Sequence, residues 1–237
     1  MRWRVLVVAI SPLFFVSNAA VGQKDSVSRP SRERTPARAW IIPIGIVAAV
    51  ALDPEMREWT LNRHTRSLDR FARTANGLGT ARHLVPAIAL TYASAFLTHN
   101  ESLANGTVNA AAAYIASDLV ESVLKPVVGR ERPSVEGNSH RFHPFSANGD
   151  WHSFPSAHVA HITSLAQAIS MQAGSKPVTI LGESLVAVVA WDRVYEDQHW
   201  TSDVAATAAL SSIISAATVT WLESHWPRSS EVEHNSR

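Results

Sequence analysis

Residues 203–222 read DVAATAALSSIISAATVTWL, a run of Ala, Ile, Leu and Val much longer than an ordinary strand. Length argues for a helix here. Similar clumps fall at about 39–52, 83–98, 107–124, 157–172 and 177–191, and most of them also exceed strand length. Residues 55–75 follow another pattern. Leu68, Phe71, Ala75 and Leu78 recur at helical spacing while Arg57, Arg63, Arg66, Arg70 and Arg73 line other faces, which predicts an amphipathic helix. Asn76-Gly77-Leu78-Gly79 predicts its end, and Asn105-Gly106 and Gly174 with Pro177 mark further helix ends. The expected class is all-α, a bundle of six to seven helices.

The composition bounds what such a bundle does. The 237 residues suffice for one sizeable core. With 46% apolar and 17% charged residues, the chain is neither disordered nor extremely charged. A net charge of +1 gives no reason to expect a nucleic-acid partner. The absence of cysteine excludes disulfides, thiolate metal sites and a cysteine nucleophile. The mean hydropathy of −0.01 is low for a polytopic membrane protein, although the apolar residues are clumped.

The ends have their own signals. Arg2 and Arg4 precede an almost unbroken apolar run from Val5 to Val16, and Ser17 and Ala19 make a small-x-small site. This predicts a secretory signal peptide over residues 1–20, cut after Ala19 or Ala20, with an uncleaved anchor helix as the alternative. Residues 21–38, with Lys24, Arg29, Arg32, Arg34, Arg38, Pro30 and Pro36, form a polar basic linker. The helical domain follows over 39–224, and 225–237 is a polar tail. Only 203–222 approaches the ~20 apolar residues of a membrane span, and it is rich in Ser and Thr. Asp118, Glu121, His158, His161 and Gln167 interrupt other clumps. A cleaved signal would also leave the basic linker outside, against the positive-inside rule. An exported chain folded as a compact bundle removes that conflict. The expected location is the cell envelope, periplasmic or membrane-associated, with the integral form left open.

Three segments carry chemistry. The first is Lys125-Pro126-Val127-Val128-Gly129-Arg130-Glu131-Arg132-Pro133, where an apolar run gives way to cations and Pro126 discourages further helix. Lys125 supplies a point charge and Arg132 a planar fork, suited to an anion with several oxygens; both also suit a helix C-terminus as dipole partners. The second is Phe154-Pro155-Ser156-Ala157-His158, a helix start whose free N–H groups favour an anion, with His158 placed as a proton donor. The third is Trp191-Asp192-Arg193-Val194-Tyr195-Glu196-Asp197-Gln198-His199-Trp200-Thr201-Ser202-Asp203. His199 and Asp203, four apart, are expected on one helical face, where the carboxylate would fix the imidazole tautomer. Residues 134–153 hold His140, His143 and His152 without regular ligand spacing and read as a loop over the pocket. Trp59, Trp191 and Trp200 read as core rather than as membrane-interface residues.

Lysine, six residues, Arg-Pro; then Pro-Ser-x-His; then Arg, five residues, His, three residues, Asp: in this order on a helical chain, residues of about 40–222 resemble the type 2 phosphatidic acid phosphatase and vanadium haloperoxidase superfamily. The resemblance implies an active site at one end of the bundle. It implies that Lys125, Arg132 and Arg193 bind the phosphoryl oxygens, with Ser156 and the backbone N–H of Ala157. His199 would attack phosphorus, Asp203 would orient it, and His158 would protonate the leaving alcohol and then activate water. No metal or other cofactor is implied, because three cations neutralise the charge. The implied substrate is a phosphorylated small molecule or lipid, including a lipid pyrophosphate, with membrane contact. Vanadate would act as an inhibitor, or as the cofactor in a haloperoxidase alternative. A non-catalytic envelope protein and phosphotransfer to another alcohol are the remaining alternatives. Two departures stand out. Ala157 replaces the family's usual glycine, which is harmless if a helix starts there and costly if φ must be positive. Asp192 replaces a frequent serine and would either hold Arg193 or compete with phosphate.

Overall fold

A computed structural model of the chain describes residues 41–226, and these form α-helices joined by turns. The expected signal peptide and basic linker, and the tail beyond 226, lie outside the described residues. The helices are α1 (Ile41–Leu61), α2 (Arg66–Gly79), α3 (Ala81–Leu97), α4 (Glu101–Val128), α5 (Pro133–Glu136), α6 (Ala157–Ala173), α7 (Lys176–Tyr195) and α8 (Thr201–His225). A 3₁₀ turn at Gly149–Trp151 interrupts the loop between α5 and α6. Seven of the described helices are long, so the all-α expectation holds; α5 is a single turn.

Several boundaries differ from those expected. Residues 55–61 continue α1, and the amphipathic helix begins at Arg66, where Thr65 Oγ1 accepts the Leu68 N–H at 3.3 Å. α2 ends at Gly79, within the expected Asn76-Gly77-Leu78-Gly79 break, whereas Asn105-Gly106 lies inside α4. Asn100 instead starts α4 by accepting the Leu103 N–H at 3.0 Å. Gly79 and Gly106 are close-approach glycines. A Cβ on Gly79 would lie 2.7 Å from His158 Cβ, and one on Gly106 would lie 2.3 Å from Gln172 Oε1. Pro126 also stays within α4. It stands in the last turn, where its missing N–H forfeits a single helical bond, and its carbonyl accepts the Phe145 N–H.

α6 is the central helix, packed on α2, α4, α7 and α8. Val159 and Ile162 of α6 join Val186, Val189, Ala190 and Val194 of α7 and Val204 and Ala208 of α8 in one core. Leu165 and Ala168 join Ala110, Ala113 and Tyr114 of α4 and Val219 of α8 in another. The Ser and Thr content of α8 belongs to this packing. Thr207 Oγ1 accepts the Ser156 N–H at 3.0 Å, and Ser215 Oγ donates to the Ser164 carbonyl at 2.9 Å. Small hydroxyl side chains let helices approach while leaving few polar groups unmet.

The surface is unusually apolar along the bundle. Ile115, Leu119, Val123 and Val127 form an exposed stripe on α4, while Val85, Leu90, Phe96 and Leu97 are exposed on α3. Ile44 and Val47 on α1 and Ile213 on α8 are exposed as well. Among the described residues, α8 alone is long and apolar enough to cross a membrane by length and composition, and half of its most apolar window is buried inside the bundle.

Candidate active site

Four helix ends meet at one end of the bundle: the C-termini of α4 and α7 and the N-termini of α6 and α8. α4 brings Lys125, and the turn after it brings Arg130 and Arg132. α6 brings Ala157 and His158, and Ser156 precedes it. α7 brings Asp192 and Arg193. The turn before α8 brings His199. Trp200 is almost fully buried, and its Nε1–H donates to the Glu131 carbonyl at 2.9 Å, joining the first and third segments.

His199 is buried, and its Nδ1 bonds the carbonyl oxygen of Ser153. A carbonyl only accepts, so Nδ1 carries the proton and the lone pair lies on Nε2. Burial foremost, then the charge of Arg132, hold this imidazole well below its ordinary range, with Lys125 and Arg193 adding to the effect. His199 is therefore a neutral imidazole with a free Nε2 at neutral pH.

Asp203 does not touch His199 as expected. His199 lies in the turn before α8 rather than on its face, with the N–H of Trp200 capped by Asp203 at 2.9 Å. The Asp203 carboxylate also accepts from Ser153 Oγ at 2.6 Å and from Arg130 Nη1 at 2.5 Å. It thus reaches His199 through Ser153, whose hydroxyl it holds and whose carbonyl receives Nδ1–H.

Arg130, which no motif singled out, is the buried centre of this support. Its Nη2 donates to Asp53 of α1 at 2.8 Å and its Nη1 to Ser202 Oγ at 2.7 Å. Asp53 in turn accepts the Ser202 N–H at 2.8 Å. Arg132, two residues later, serves the open side. Its Nε donates to the Gly149 carbonyl at 3.0 Å and its Nη1 to the backbone and side-chain oxygens of Gln198, which leaves Nη2 for a ligand. Burial foremost, then the neighbouring charge of Arg193, lower its pKa.

The other two cations meet carboxylates. Lys125 Nζ pairs with Glu121 one turn earlier on α4. Arg193 uses Nε and Nη2 on Asp192 Oδ2, at 2.8 and 2.7 Å. This contact serves both roles expected for Asp192: it holds Arg193, and it occupies two donors that phosphate would otherwise use. Burial pushes the Asp192 carboxyl up to about 6, against the opposing pull of Arg193.

His158 stands in the first turn of α6, and Thr80 Oγ1 lies 3.4 Å from its Nε2. Burial foremost, followed by the charges of Arg193, His161, Lys125 and Arg132, lowers its pKa to about 4. Lys125, Arg132 and Arg193 therefore all lie within electrostatic reach of both imidazoles. Ala157 opens α6 without positive φ, so alanine fits there. Ser156 is fully buried, and its Oγ has no hydrogen-bond partner among the described residues. An orphaned buried hydroxyl at a helix start suits an anion. The 134–153 loop covers this end; His152 Nε2 bonds the Ser146 carbonyl at 2.8 Å, and Arg141 pairs with buried Glu131 at 3.1 Å. No group of three or more His, Asp or Glu side chains suited to a metal occurs among the described residues.

Arg130, Ser153, Glu121 and Asp53 are supporting residues that sequence reasoning missed. Ser153 lies directly beside the second segment, whereas Asp53 is 77 positions from its partner Arg130 and gives no local signal.

The family model described as the PAP2 superfamily matches residues 106–227, just over half of the chain. Among solved structures, the chain is similar to a transmembrane PAP2 type phosphatidylglycerolphosphate phosphatase from Bacillus subtilis, at 18% identity and a TM-score of 0.61, with 94% of this chain and 98% of that chain covered. It is also similar to Aquifex aeolicus LpxE, at 19% identity and a TM-score of 0.54, with 71% of this chain and 95% of that chain covered. These likenesses establish a shared fold. No curated protein matches the chain.

Proposed function

The chain belongs to the PAP2 superfamily, and from that premise we propose that it is an exported, metal-independent phosphatase acting on phosphate monoesters, lipid phosphates or lipid pyrophosphates through a phosphohistidine. The observation that carries this reading is the Nδ1 bond of His199 to the Ser153 carbonyl, which leaves Nε2 as the nucleophile.

Lys125, Arg132 and Arg193 hold the phosphoryl oxygens, with the Ser156 hydroxyl and the Ala157 N–H completing the cradle. Nε2 of His199 attacks phosphorus as the bond to the leaving oxygen breaks, and His158 gives that oxygen a proton. His158 is neutral in the empty site, with a pKa of about 4. Burial is the foremost cause of that low value and persists, but the negative phosphoryl group offsets the share due to the cations and raises the proton affinity of His158, which takes up a proton from solvent as substrate binds. His158 then takes a proton from water, which attacks the phosphohistidine and breaks the N–P bond. Asp203 keeps His199 in position through Ser153.

A lipid substrate is supported by the exposed apolar stripes of α3 and α4. It is supported also by an apolar groove of about 630 Å³ between α3, α4 and α6, lined by Leu84, Ile88, Leu103, Leu165 and Ile169. Leu84 is one turn from Thr80, which touches His158. One of the two similar structures is a phosphatidylglycerolphosphate phosphatase, and this favours the same substrate class.

The test is hydrolysis of phosphatidate, a prenyl pyrophosphate and para-nitrophenyl phosphate by purified wild type and His199→Ala. The wild type should turn over at least one and form an acid-labile phosphoenzyme. His199→Ala should lose both, by at least about 10⁴-fold in turnover. Wild-type turnover by His199→Ala would end the proposal, and halide oxidation dependent on vanadate and peroxide would replace it with the haloperoxidase reading.

A further inference from the structure

The region from Arg63 to His83 holds five arginines, Arg63, Arg66, Arg70, Arg73 and Arg82, against one acid, Asp69. The one acid is occupied: Asp69 Oδ1 accepts from Tyr195 Oη at 2.6 Å and lies 3.0 Å from His64 Nδ1. All five arginines are exposed. Arg63 lies over the Trp59 ring at 4.4 Å, while Arg66, Arg70 and Arg82 form no ion pair with any described residue.

α2 is placed across the catalytic end of the bundle. Its first half is tied to the last two turns of α7, through Asp69 to Tyr195 and Phe71 to Trp191, whose ring centroids are 5.5 Å apart. Its last residue, Gly79, gives its carbonyl to His161 Nδ1 at 3.1 Å on α6. The helix has three faces. Ala72, Ala75 and Gly79 are buried against α6 and α7. Arg66, Arg70 and Arg73, at i, i+4 and i+7, form a cationic flank. Leu68, Phe71 and Leu78 form an apolar flank that is 37%, 50% and 37% exposed. The large apolar side chains expected to pack inward are thus outside, because small residues let α2 approach its neighbours closely.

We propose that α2 is an interfacial helix that seats the catalytic end on an anionic phospholipid surface, the arginine flank meeting headgroup phosphates and Leu68, Phe71 and Leu78 entering the acyl boundary. Charge complementarity selects this occupant: unpaired guanidiniums suit phosphate oxygens, and a cationic flank beside an apolar one is the pattern of a helix lying in an anionic interface. α1 and α3, the helices that flank α2 in sequence, also carry exposed apolar side chains, Ile44, Val47, Val85 and Leu90 among them. The inference rests on the lipid-contact part of the proposed function and adds a dependence on lipids other than the substrate.

The test uses no turnover. Because the chain lacks cysteine, exposed Ser67, beside the apolar flank, is changed to Ser67→Cys and labelled with an environment-sensitive fluorophore. The full-length protein is placed in nanodiscs of phosphatidylcholine alone or with phosphatidylglycerol. The expected result is blue-shifted emission with phosphatidylglycerol. That shift should be lost in high salt and in an Arg66→Gln, Arg70→Gln, Arg73→Gln background, with para-nitrophenyl phosphate turnover unchanged. Equal emission in both lipids, or a shift insensitive to the arginines, overturns the inference and leaves the phosphatase reading standing. Failure of the protein to enter nanodiscs at all overturns the lipid-contact reading and this inference together. Absence of wild-type turnover of phosphatidate, a prenyl pyrophosphate and para-nitrophenyl phosphate alike, with the shift intact, overturns the phosphatase reading alone.

Discussion

The two ends of α6 meet opposite chemistry. Its N-terminus faces Lys125, Arg132, Arg193 and two imidazoles, held by contacts that fix individual atoms. Toward its C-terminus, Leu165 and Ile169 line an apolar groove with residues of α3 and α4. The difference teaches how one helix divides its work. At the site, each hydrogen bond has one acceptable partner and removal leaves a buried charge or an unmet group. In the groove, packing is non-directional and loss of a methyl group removes only contact area.

The largest break of that contrast, after loss of the nucleophile, lies at Arg130. Arg130→Met leaves Asp53 and Asp203 buried without their cation. Thermal or urea unfolding should show a loss of about 3–5 kcal/mol, the usual effect of stranding one side of a buried ion pair. An unchanged midpoint would mean that these carboxylates are satisfied without it. Next comes Arg132→Ala, which touches no buried carboxylate. It should lower turnover by about 10² to 10³ while leaving the unfolding midpoint nearly in place. Together the two variants separate the arginine that supports the site from the one that meets substrate, two positions apart in sequence.

Asp192 gives a smaller and pH-dependent effect. Its carboxyl titrates near 6, above the ordinary aspartate value, so it is charged well above pH 6 and neutral well below it. While charged, it occupies the Nε and Nη2 edge of Arg193. Asp192→Ser should therefore tighten inorganic phosphate binding about fivefold well above pH 6, the effect of removing one nearby negative charge, and change it little well below. Calorimetry at both pH values decides; weaker binding by the variant would mean that Asp192 positions Arg193 more than it competes. The smallest effect belongs to the groove. Ile169→Ala is half-exposed and should cost less than about 1 kcal/mol in stability. Its para-nitrophenyl phosphate kinetics should match the wild type, whereas KM for phosphatidate should rise. Equal KM values would remove the groove from substrate binding.

Much of the site was legible as residue types. Lys125, Arg132, Ser156, Ala157, His158, Arg193 and His199 were identifiable from motif order, and the structure brings them to one end of the bundle. Arg130 was not, because a basic cluster at a helix end offers several equivalent arginines and the sequence does not say which is buried. Asp203 was identified, but its partner was not: spacing of four suggested a shared helical face with His199, and α8 begins only after that histidine. Asn105-Gly106 misled for a related reason. Glycine beside asparagine signals a turn locally, yet at Gly106 the missing Cβ makes room for α6.

The sequence by itself determined that long apolar runs become helices and that those helices carry a phosphate-type constellation in a fixed order. Run length and periodicity are local quantities, so they survive without knowledge of the neighbours. Only the tertiary structure decided which nitrogen of His199 is free, which arginine is buried and which face of α2 is left outside. Those outcomes depend on contacts between residues far apart in the chain, such as Ser153 with His199 across 46 positions and Arg130 with Asp203 across 73. Hydrogen-bond direction and burial exist only once such partners have met.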